Sequence, residues 1–302
     1  MKIFIAGGTG FVGGHLSEEL LKRGHELMLL SHGTQGPKRE GITLIPGDVT
    51  EPDGYRHAMK PCDAVINLVG IIREFPNSGV TFERLHVQAT EAMVSASQMA
   101  GVLRYIQMSA LGTRVDAVSG YHRTKWRAEE IVRGSGLAWT IFRPSLIFGP
   151  GDSFVNMLAS NMRIAPVMPV MGDGNYRLQP IHGRDVARCF ADALERPETT
   201  GQTYELCGED RMTYRQLLDA IAQAMGRTAP WKPSLPLKYM KPVIRTMERF
   251  KAFPITSDQL QMLLEENICD GCWRETFDFQ PTRFRDGIRE YLEDKLDRKS
   301  VV

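Results

Sequence analysis

Short apolar runs alternate with stretches of helical periodicity through the first half of the chain. The runs are four to six residues long, which is typical of strands buried on both faces of a parallel sheet. After the first run, Val12, Leu16 and Leu20 recur at the spacing of one helix face. Six strands are predicted in this way, at residues 3–6, 26–31, 43–46, 64–69, 104–108 and 138–142. The alternation of strands and helices predicts an α/β fold with a doubly wound parallel sheet.

The turn between the first predicted strand and helix contains Gly7, Gly10 and Gly13. This G-x-x-G-x-x-G spacing between a strand and a helix predicts a dinucleotide site of the Rossmann type. The glycines allow a tight turn and a close approach of the backbone to a pyrophosphate, whose negative charge the helix N-terminus favours. The cofactor-binding residues predicted here are Gly7, Thr9, Gly10, Phe11, Val12 and Gly13.

The end of the second predicted strand bears on which dinucleotide binds. In sites selective for NAD, an acidic residue near this point binds the ribose 2′-hydroxyl. Here the strand ends in Ser31 and His32, and no carboxylate follows until Glu40. Lys38 and Arg39 lie in the loop, where they either meet a 2′-phosphate or form an ordinary solvated basic loop. We assign all four of the non-acidic residues to the cofactor site and favour NADP(H), with NAD(H) as the alternative.

Two more loops are expected at the carboxyl edge of the sheet, where ligands bind in open α/β folds. Asp48 and Val49 follow the third strand, in a loop placed to pass the adenine. Leu68, Val69 and Gly70 lie at the end of the fourth strand. All five are predicted to bind the cofactor.

A candidate catalytic set follows the fifth strand. Tyr121 and Lys125 are four residues apart at the start of a predicted helix, so their side chains share one face. A neighbouring ammonium favours the phenolate, and we therefore expect Lys125 to lower the pKa of Tyr121. Ser109, at the end of the fifth strand, is placed to hydrogen-bond a substrate oxygen.

The regular alternation ends near residue 150, where loops rich in glycine and proline begin. Helical periodicity returns at 184–195, 213–226 and 281–296, and a short strand is predicted at 203–206, while 230–254 is harder to assign. We expect a dinucleotide-binding domain over 1–150, to which 178–195 and 203–206 return. A smaller, mixed C-terminal substrate lobe is expected over most of 151–302. A long helix predicted over 80–100 has one apolar face, formed by Leu85, Ala89, Ala92, Ala96 and Met99.

Composition narrows the classes of partner. The net charge is +1, so no nucleic-acid partner is expected. No apolar run approaches the roughly 20 residues that span a bilayer, and the N-terminus leads directly into the first strand, so we expect a cytoplasmic protein. Five scattered cysteines argue against a disulfide framework. Cys269 and Cys272 have C-x-x-C spacing but lack a second pair to complete a zinc site, so no metal is expected.

With these motifs in this order, the chain resembles the short-chain dehydrogenase/reductase superfamily over almost its whole length. The resemblance implies that Tyr121 is the acid/base, that Lys125 holds the nicotinamide ribose, and that Ser109 polarises a carbonyl or hydroxyl. Residues 143–151 resemble the segment of extended members that passes the nicotinamide, which adds Pro144, Leu146 and Ile147 to the cofactor site.

Two residues are expected on the substrate side. Arg177 matches an arginine that meets substrate phosphate in the sugar-nucleotide enzymes of the superfamily, although a simple ion pair with a neighbouring carboxylate is the alternative. His86 stands where extended members carry an asparagine that supports a proton-relay water, so a relay through this position is doubtful. It is either a substrate-side residue or a histidine that caps or covers the long helix.

Finer features resemble bacterial relatives of the NADPH-binding accessory subunit of respiratory complex I. These features are residues 86–90, 108–112, 148–152 and 254–260. The resemblance implies an atypical branch of the superfamily and raises a possible association with a respiratory complex.

The leading interpretation is an NADP(H)-binding oxidoreductase that exchanges a hydride with a carbonyl or alcohol of an unidentified small molecule. One alternative is an NAD-dependent nucleotide-sugar epimerase or dehydratase, and another is a catalytically quiet NADPH-binding subunit or assembly factor. A basic amphipathic segment over 237–251 is either a substrate lid or a peripheral contact with the inner face of a membrane. The oligomeric state is left open.

Overall fold

In a computed structural model of the chain, residues 1–33, 39–250, 253 and 255–293 are described. The chain divides into two compact units. The first consists of Met1–Pro144, Gly183–Leu206 and Gly271–Asp278, and the second of Ser145–His182, Cys207–Asp270 and Phe279–Val302. The first segment of the first unit ends at residue 144, whereas the sequence predicted a boundary at 150. The chain returns to this unit at residue 183, whereas the sequence predicted a return at 178.

The first unit is built on a seven-stranded parallel sheet, which confirms the predicted α/β, doubly wound class. The strands are numbered here in chain order, and their order across the sheet is β7-β6-β5-β4-β1-β2-β3. All neighbouring strands run parallel. Their bounds are Lys2–Ala6 (β1), Glu26–Ser31 (β2), Ile42–Pro46 (β3), Ala64–Asn67 (β4), Arg104–Met108 (β5), Ala138–Pro144 (β6) and Gln202–Leu206 (β7).

Four principal helices accompany the sheet: Phe11–Lys22 (α1), Ala89–Ala100 (α2), Gly120–Arg133 (α3) and Gly183–Glu195 (α4). Short helices also occur at Pro52–Gly54, Arg56–Met59, Pro76–Ser78, Pro197–Thr199 and Trp273–Phe277, and a π-helical segment, Glu83–Gln88, leads into α2. The predicted apolar face of α2 was wrong at Met99, which is 59% exposed. The buried face runs through Ala89, Met93 and Ala96, and Met99 lies to one side of it in the last turn.

Two features set the position of α3. Ser119 caps it, because its Oγ accepts a hydrogen bond from the His122 N–H at 3.2 Å. At the other end, Glu129 is fully buried and accepts hydrogen bonds from Arg143 on β6 at 2.8 and 2.7 Å. Arg133, one turn further along the helix, donates to the same carboxylate at 2.6 Å. A buried carboxylate requires such partners, so this cluster fixes the rotation of α3 against the sheet.

The second unit is a mixed lobe of short elements around one core. Its strand pairs are Ile147–Phe148 with Ile181–His182, Arg177–Leu178 with Met212–Thr213, and Val170–Met171 with Ser234–Leu235. Its helices are Phe154–Ile164, Tyr214–Ala224, Leu237–Met247, Ser257–Leu264 and Phe284–Leu292. The last of these buries its predicted apolar face, Phe284, Ile288 and Leu292; the predicted end of this helix at 294–296 lies outside the described residues.

The cysteine pattern argued against a disulfide framework, and the structure contains a disulfide that the sequence did not predict. Cys207 and Cys269, which are 62 residues apart in sequence, form a disulfide within the second unit. Folding brings them together from distant positions, which an odd count and irregular spacing do not reveal. The C-x-x-C pair does not close on itself, since Cys269 is bonded outside the motif.

Candidate functional site

The glycine turn has the shape of a backbone cradle. Gly7 has a φ of +78°, and a Cβ there would lie 3.0 Å from the carbonyl carbon of Leu68. A Cβ at Gly13 would lie 2.5 Å from the Gly7 oxygen, so both positions need glycine for the fold itself. At Gly10 a Cβ would meet only the Gly7 oxygen, at 3.3 Å. Of the three positions, Gly10 is therefore the one at which the fold could accommodate a larger residue.

The N-terminus of α1 points out of this cradle. Gly10 is its N-cap residue, and no side chain caps the helix. Thr9 and Gly10 are exposed, Phe11 is half-buried, and Val12 packs into the core. Uncapped N–H groups and the helix dipole suit a bound pyrophosphate, so the residues present fit the dinucleotide that the sequence predicts.

The region after β2 is polar and carries no carboxylate among its described residues before Glu40. Ser31 is buried, and its Oγ accepts a hydrogen bond from the Gly33 N–H at 3.4 Å. His32 and Arg39 are exposed, while Lys38 lies outside the described residues. The roles of His32, Lys38 and Arg39 in binding the cofactor stay predictions.

Asp48 and Val49 follow β3 in a loop tied to β2 by the hydrogen bond from the Gly47 N–H to the Ser31 carbonyl, at 3.0 Å. Asp48 accepts hydrogen bonds from Thr50 and, at 2.8 Å, from the Arg84 guanidinium. Partial burial works to raise the pKa of Asp48, but the Thr50 hydrogen bonds and the Arg84 charge hold it below the ordinary value. The carboxylate is thus already engaged within the protein.

Asn67 shapes the loop after β4. It is buried, its Oδ1 accepts a hydrogen bond from the Val69 N–H at 3.0 Å, and its Nδ2 donates to Gln107 at 3.2 Å. These contacts hold Leu68 and Val69 at the sheet edge, where Leu68 meets the glycine turn at Gly7.

Lys125 connects this loop to the neighbouring strand. Its Nζ donates to the carbonyl oxygens of Val69, at 3.2 Å, and Met108, at 3.3 Å. Burial lowers the pKa of Lys125 to about 8, against the opposing charge of Glu129. A Cβ at Gly70 would lie 2.8 Å from the same Nζ, so a side chain at that position would displace the ammonium.

Tyr121 lies in an aromatic cluster next to Lys125. Its ring centroid is 5.3 Å from that of His86, 5.8 Å from Phe82 and 5.2 Å from His122. Burial raises the pKa of Tyr121 to about 12, so the predicted lowering was wrong. The ammonium of Lys125 bonds to two carbonyl oxygens, and burial of the phenol outweighs its influence.

His86 bridges two parts of the site. Its Nδ1 is 2.9 Å from the Thr124 Oγ1 on α3, and its Nε2 is 3.2 Å from the Ile71 nitrogen and 3.1 Å from the Ile71 oxygen. Burial and the charge of Lys125 lower the pKa of His86 to about 2, so the imidazole is neutral. Both ring nitrogens are engaged within the protein, and the substrate role of His86 stays a prediction.

Ser109 is fixed through both backbone and side chain. Its N–H donates to the Phe142 carbonyl at 2.7 Å, and its Oγ donates to the Thr113 Oγ1 at 3.3 Å. Leu111 in the same segment donates to the carbonyl of Pro144 at 2.9 Å. Ser109 thus follows Met108, whose carbonyl binds Lys125, and stays beside the end of β6.

Leu146, Ile147 and Arg177 belong to the second unit. The Leu146 N–H donates to the Asn267 Oδ1 at 2.8 Å, and Ile147 pairs with Ile181. Arg177 is exposed and forms a bidentate pair with Glu266, at 2.6 and 2.8 Å. This ion pair is the simpler of the two roles considered for Arg177, and its substrate role stays a prediction.

Several supporting residues escaped the sequence argument. Glu129 continues the Tyr121–Lys125 stripe at the next i+4 position, which was a usable signal. Asn67 had one too, because it lies near the end of the predicted strand 64–69, at the edge of the sheet where ligands bind. Thr113, Thr124 and Arg84 gave none, since they act through contacts that only the fold creates. No cluster of metal-ligating side chains occurs within the described ranges.

Comparison with known proteins identifies a family whose model matches the chain. A model of the NAD dependent epimerase/dehydratase family matches residues 3–207. The Arabidopsis thaliana protein NADH dehydrogenase (ubiquinone) 1 alpha subcomplex subunit 9, mitochondrial, is 30% identical over 85% of this chain and 66% of its own length. A ceramide reductase of Caulobacter vibrioides is 27% identical over 74% of this chain and 70% of its own length.

The chain spans between 61% and 71% of the length of the curated relatives that carry that subunit name. Among solved structures, the UDP-glucose 4-epimerase of Thermus thermophilus in complex with NAD is similar, with a TM-score of 0.74. It is 20% identical and covers 96% of this chain and 97% of its own, a likeness that shows the fold.

Substitution of Gly10 should separate binding from folding. Gly10→Val places a side chain in the cradle while meeting one backbone oxygen at 3.3 Å, so the fold should survive. NADPH binding, measured by calorimetry, should weaken by about a hundredfold or more, because the side chain occupies the space of the pyrophosphate. Gly14→Ala is the matched control, since a Cβ there meets nothing within 4 Å. Wild-type affinity in a folded Gly10→Val protein would contradict the site.

His86→Asn should flatten the pH dependence of stability. The unfolded chain protonates this histidine near pH 6.5, whereas the folded protein keeps it neutral down to about 2. Below pH 6.5 the unfolded chain therefore binds more protons than the folded protein. The free energy of unfolding consequently decreases as the pH is lowered. Between pH 7 and 5 we expect a loss of about 2 kcal/mol in the wild type that the variant lacks, as measured by urea denaturation.

The control for this measurement is His57→Asn, which removes an exposed imidazole. Its denaturation curves should keep the pH slope of the wild type. Parallel slopes for wild type and His86→Asn would show that His86 is not the group that the fold holds neutral.

Proposed function

The chain belongs to the NAD-dependent epimerase/dehydratase family, and on that basis we propose that it is an NADP(H)-dependent oxidoreductase acting on a carbonyl or alcohol. The observation that carries the proposal is the placement of Lys125. Its ammonium joins the loop after β4 to the last residue of β5, and Lys125 lies on the helix face that also carries Tyr121. The loop after β4 in turn packs on the glycine turn.

A bound dinucleotide supplies the hydride, and its site would be formed by the glycine turn, the loop after β4 and Lys125. The chain's own residues supply the proton and hold the substrate oxygen. Ser109 would donate its hydroxyl hydrogen to that oxygen, giving up its 3.3 Å contact with Thr113. Tyr121 would transfer its phenolic proton to the same oxygen as the carbonyl carbon is reduced.

At neutral pH Tyr121 is in the protonated form that the acid step of a reduction requires. With its pKa raised to about 12, the phenol keeps its proton at neutral pH and is ready to act as an acid. Oxidation of an alcohol would need the phenolate as a base, which burial disfavours here. A named relative, the ceramide reductase, also works in the reductive direction by its name.

The cofactor that we propose is NADP(H), with NAD(H) as the alternative. Support comes from the region after β2, where His32 and Arg39 are exposed and the first described carboxylate is Glu40. An acid at the strand end would repel a 2′-phosphate, whereas cations attract it. The same feature counts against the alternative of an epimerase or dehydratase that keeps NAD tightly bound.

A second candidate function is an NADPH-binding subunit or assembly factor of a respiratory complex that has little turnover. It is favoured by the 30% identity to the Arabidopsis subunit over 85% of the chain. The described Ser109, Tyr121 and Lys125 favour the enzyme instead, because a protein that only binds cofactor does not need all three. Turnover decides between the two.

The cofactor preference can be tested by titration. We expect NADPH to bind at least about tenfold more tightly than NADH, a difference of about 1.4 kcal/mol. His32→Asp should abolish or reverse this preference, since the new carboxylate repels the 2′-phosphate and can bind a 2′-hydroxyl. Lys38→Ala combined with Arg39→Ala should weaken NADPH alone. Equal affinity of the wild type for both cofactors would refute the assignment.

Tyr121→Phe tests catalysis. The variant loses one hydroxyl, so NADPH affinity should stay nearly unchanged while reduction of a responsive carbonyl falls by roughly a hundredfold or more. Lys125→Ala should weaken binding and turnover together, because its ammonium holds the loop at Val69. The measurement is a carbonyl-reduction screen joined to complementation of a deletion strain. Full complementation by Tyr121→Phe would end the enzymatic proposal and leave the subunit interpretation.

A further inference from the structure

One helix of the second unit, Leu237–Met247, is attached to it along a narrow stripe. Ile244 is fully buried, while Leu237 and Met240 on the same side are partly buried. The remaining positions of the helix are exposed. We refer to this helix and the turn that follows it, residues 237–250, as the outer helix.

The outer helix presents an apolar stripe to its surroundings. Tyr239, Val243, Met247 and Phe250 are between 37% and 63% exposed. Their spacing of four, four and three residues places them along one side of the helix. Trp231, shortly before the helix in the same unit, is also exposed. Aromatic side chains of this kind are the ones enriched at membrane–water interfaces.

A basic stripe runs along another exposed side of the same helix. It consists of Lys238, Lys241, Arg245 and Arg249, all exposed. Within the part of the chain that the structure describes, none of the four forms an ion pair with a carboxylate. Residues 227–250 contain six basic residues and one acidic residue, Glu248, although the whole chain carries a net charge of only +1.

We propose that the outer helix docks on an anionic lipid surface. Its exposed face combines apolar and aromatic side chains, which enter the headgroup region, with cations, which bind lipid phosphates. No helix in the described ranges could cross a bilayer, so the contact is peripheral. A substrate lid would use the apolar stripe but has no need of four cations, and the charge pattern therefore favours the lipid surface.

Vesicle flotation of the full chain tests the docking. At low salt, at least tenfold more protein should float with vesicles of phosphatidylglycerol and phosphatidylcholine than with phosphatidylcholine alone. High salt should release it, because the attraction of the cations is screened. Trp231→Phe should reduce the blue shift of tryptophan fluorescence on binding. Equal binding to both vesicle types, or none, would overturn the proposal.

Two sets of variants localise the contact. Replacing Lys238, Lys241 and Arg245 with glutamine should lower vesicle binding at least tenfold. The matched control replaces Lys22, Lys60 and Arg127, which are exposed cations of the first unit, and should bind like the wild type. Thermal denaturation confirms that each variant is folded.

Tyr239→Ser with Val243→Ser should also weaken binding but leave its salt dependence in place. Loss of binding in the control set, or none in the outer-helix set, would place the contact elsewhere. Binding of the protein only to membranes that contain integral proteins would show that the outer helix contacts a protein partner. That result would overturn the lipid proposal.

Discussion

The carboxylate of Glu129 is the constraint on which the candidate site depends. It is fully buried, and the free energy of its burial is recovered only by the guanidinium groups of Arg143 and Arg133. Because Arg143 lies on β6, this cluster permits a single rotation of α3 against the sheet. Tyr121 and Lys125 are two turns and one turn earlier on the same helix face. Their positions at the sheet edge therefore follow from the ion-pair cluster of Glu129, Arg133 and Arg143.

In this arrangement the ammonium of Lys125 is buried, which is energetically unfavourable. Its buried ammonium has carbonyl oxygens rather than a carboxylate as direct partners, and its pKa falls to about 8. Below that pH the charged form destabilises the folded protein by about 3 kcal/mol, and the penalty disappears as the pH rises towards the unfolded value. A side chain at Gly70 would displace the same ammonium. The charge of Glu129 offsets part of this desolvation cost.

The features that were predicted correctly depend on residues that are close together in the sequence. Six strands, the glycine turn and the Tyr121–Lys125 face follow from periodicities of two to four residues, and the fold class was right for that reason. The disulfide between Cys207 and Cys269 was missed because its partners meet only after folding. The pKa of Tyr121 was predicted in the wrong direction because its sequence neighbour is a cation, whereas burial by Phe82 and His86 is invisible in sequence.

His86 shows why an intact catalytic set does not by itself establish turnover. In the proposed reaction Tyr121 gives up its proton, and the phenolate would have to be reprotonated in every cycle. His86 touches the Tyr121 ring, but its pKa of about 2 and its two engaged nitrogens prevent it from acting as an imidazolium donor at neutral pH. It holds the loop at Ile71 against Thr124, a role that a binding subunit needs as much as an enzyme does. The geometry of Ser109, Tyr121 and Lys125 is thus maintained by packing, hydrogen bonds and the Glu129 ion pairs, and in the proposed reaction the proton path would not run through His86.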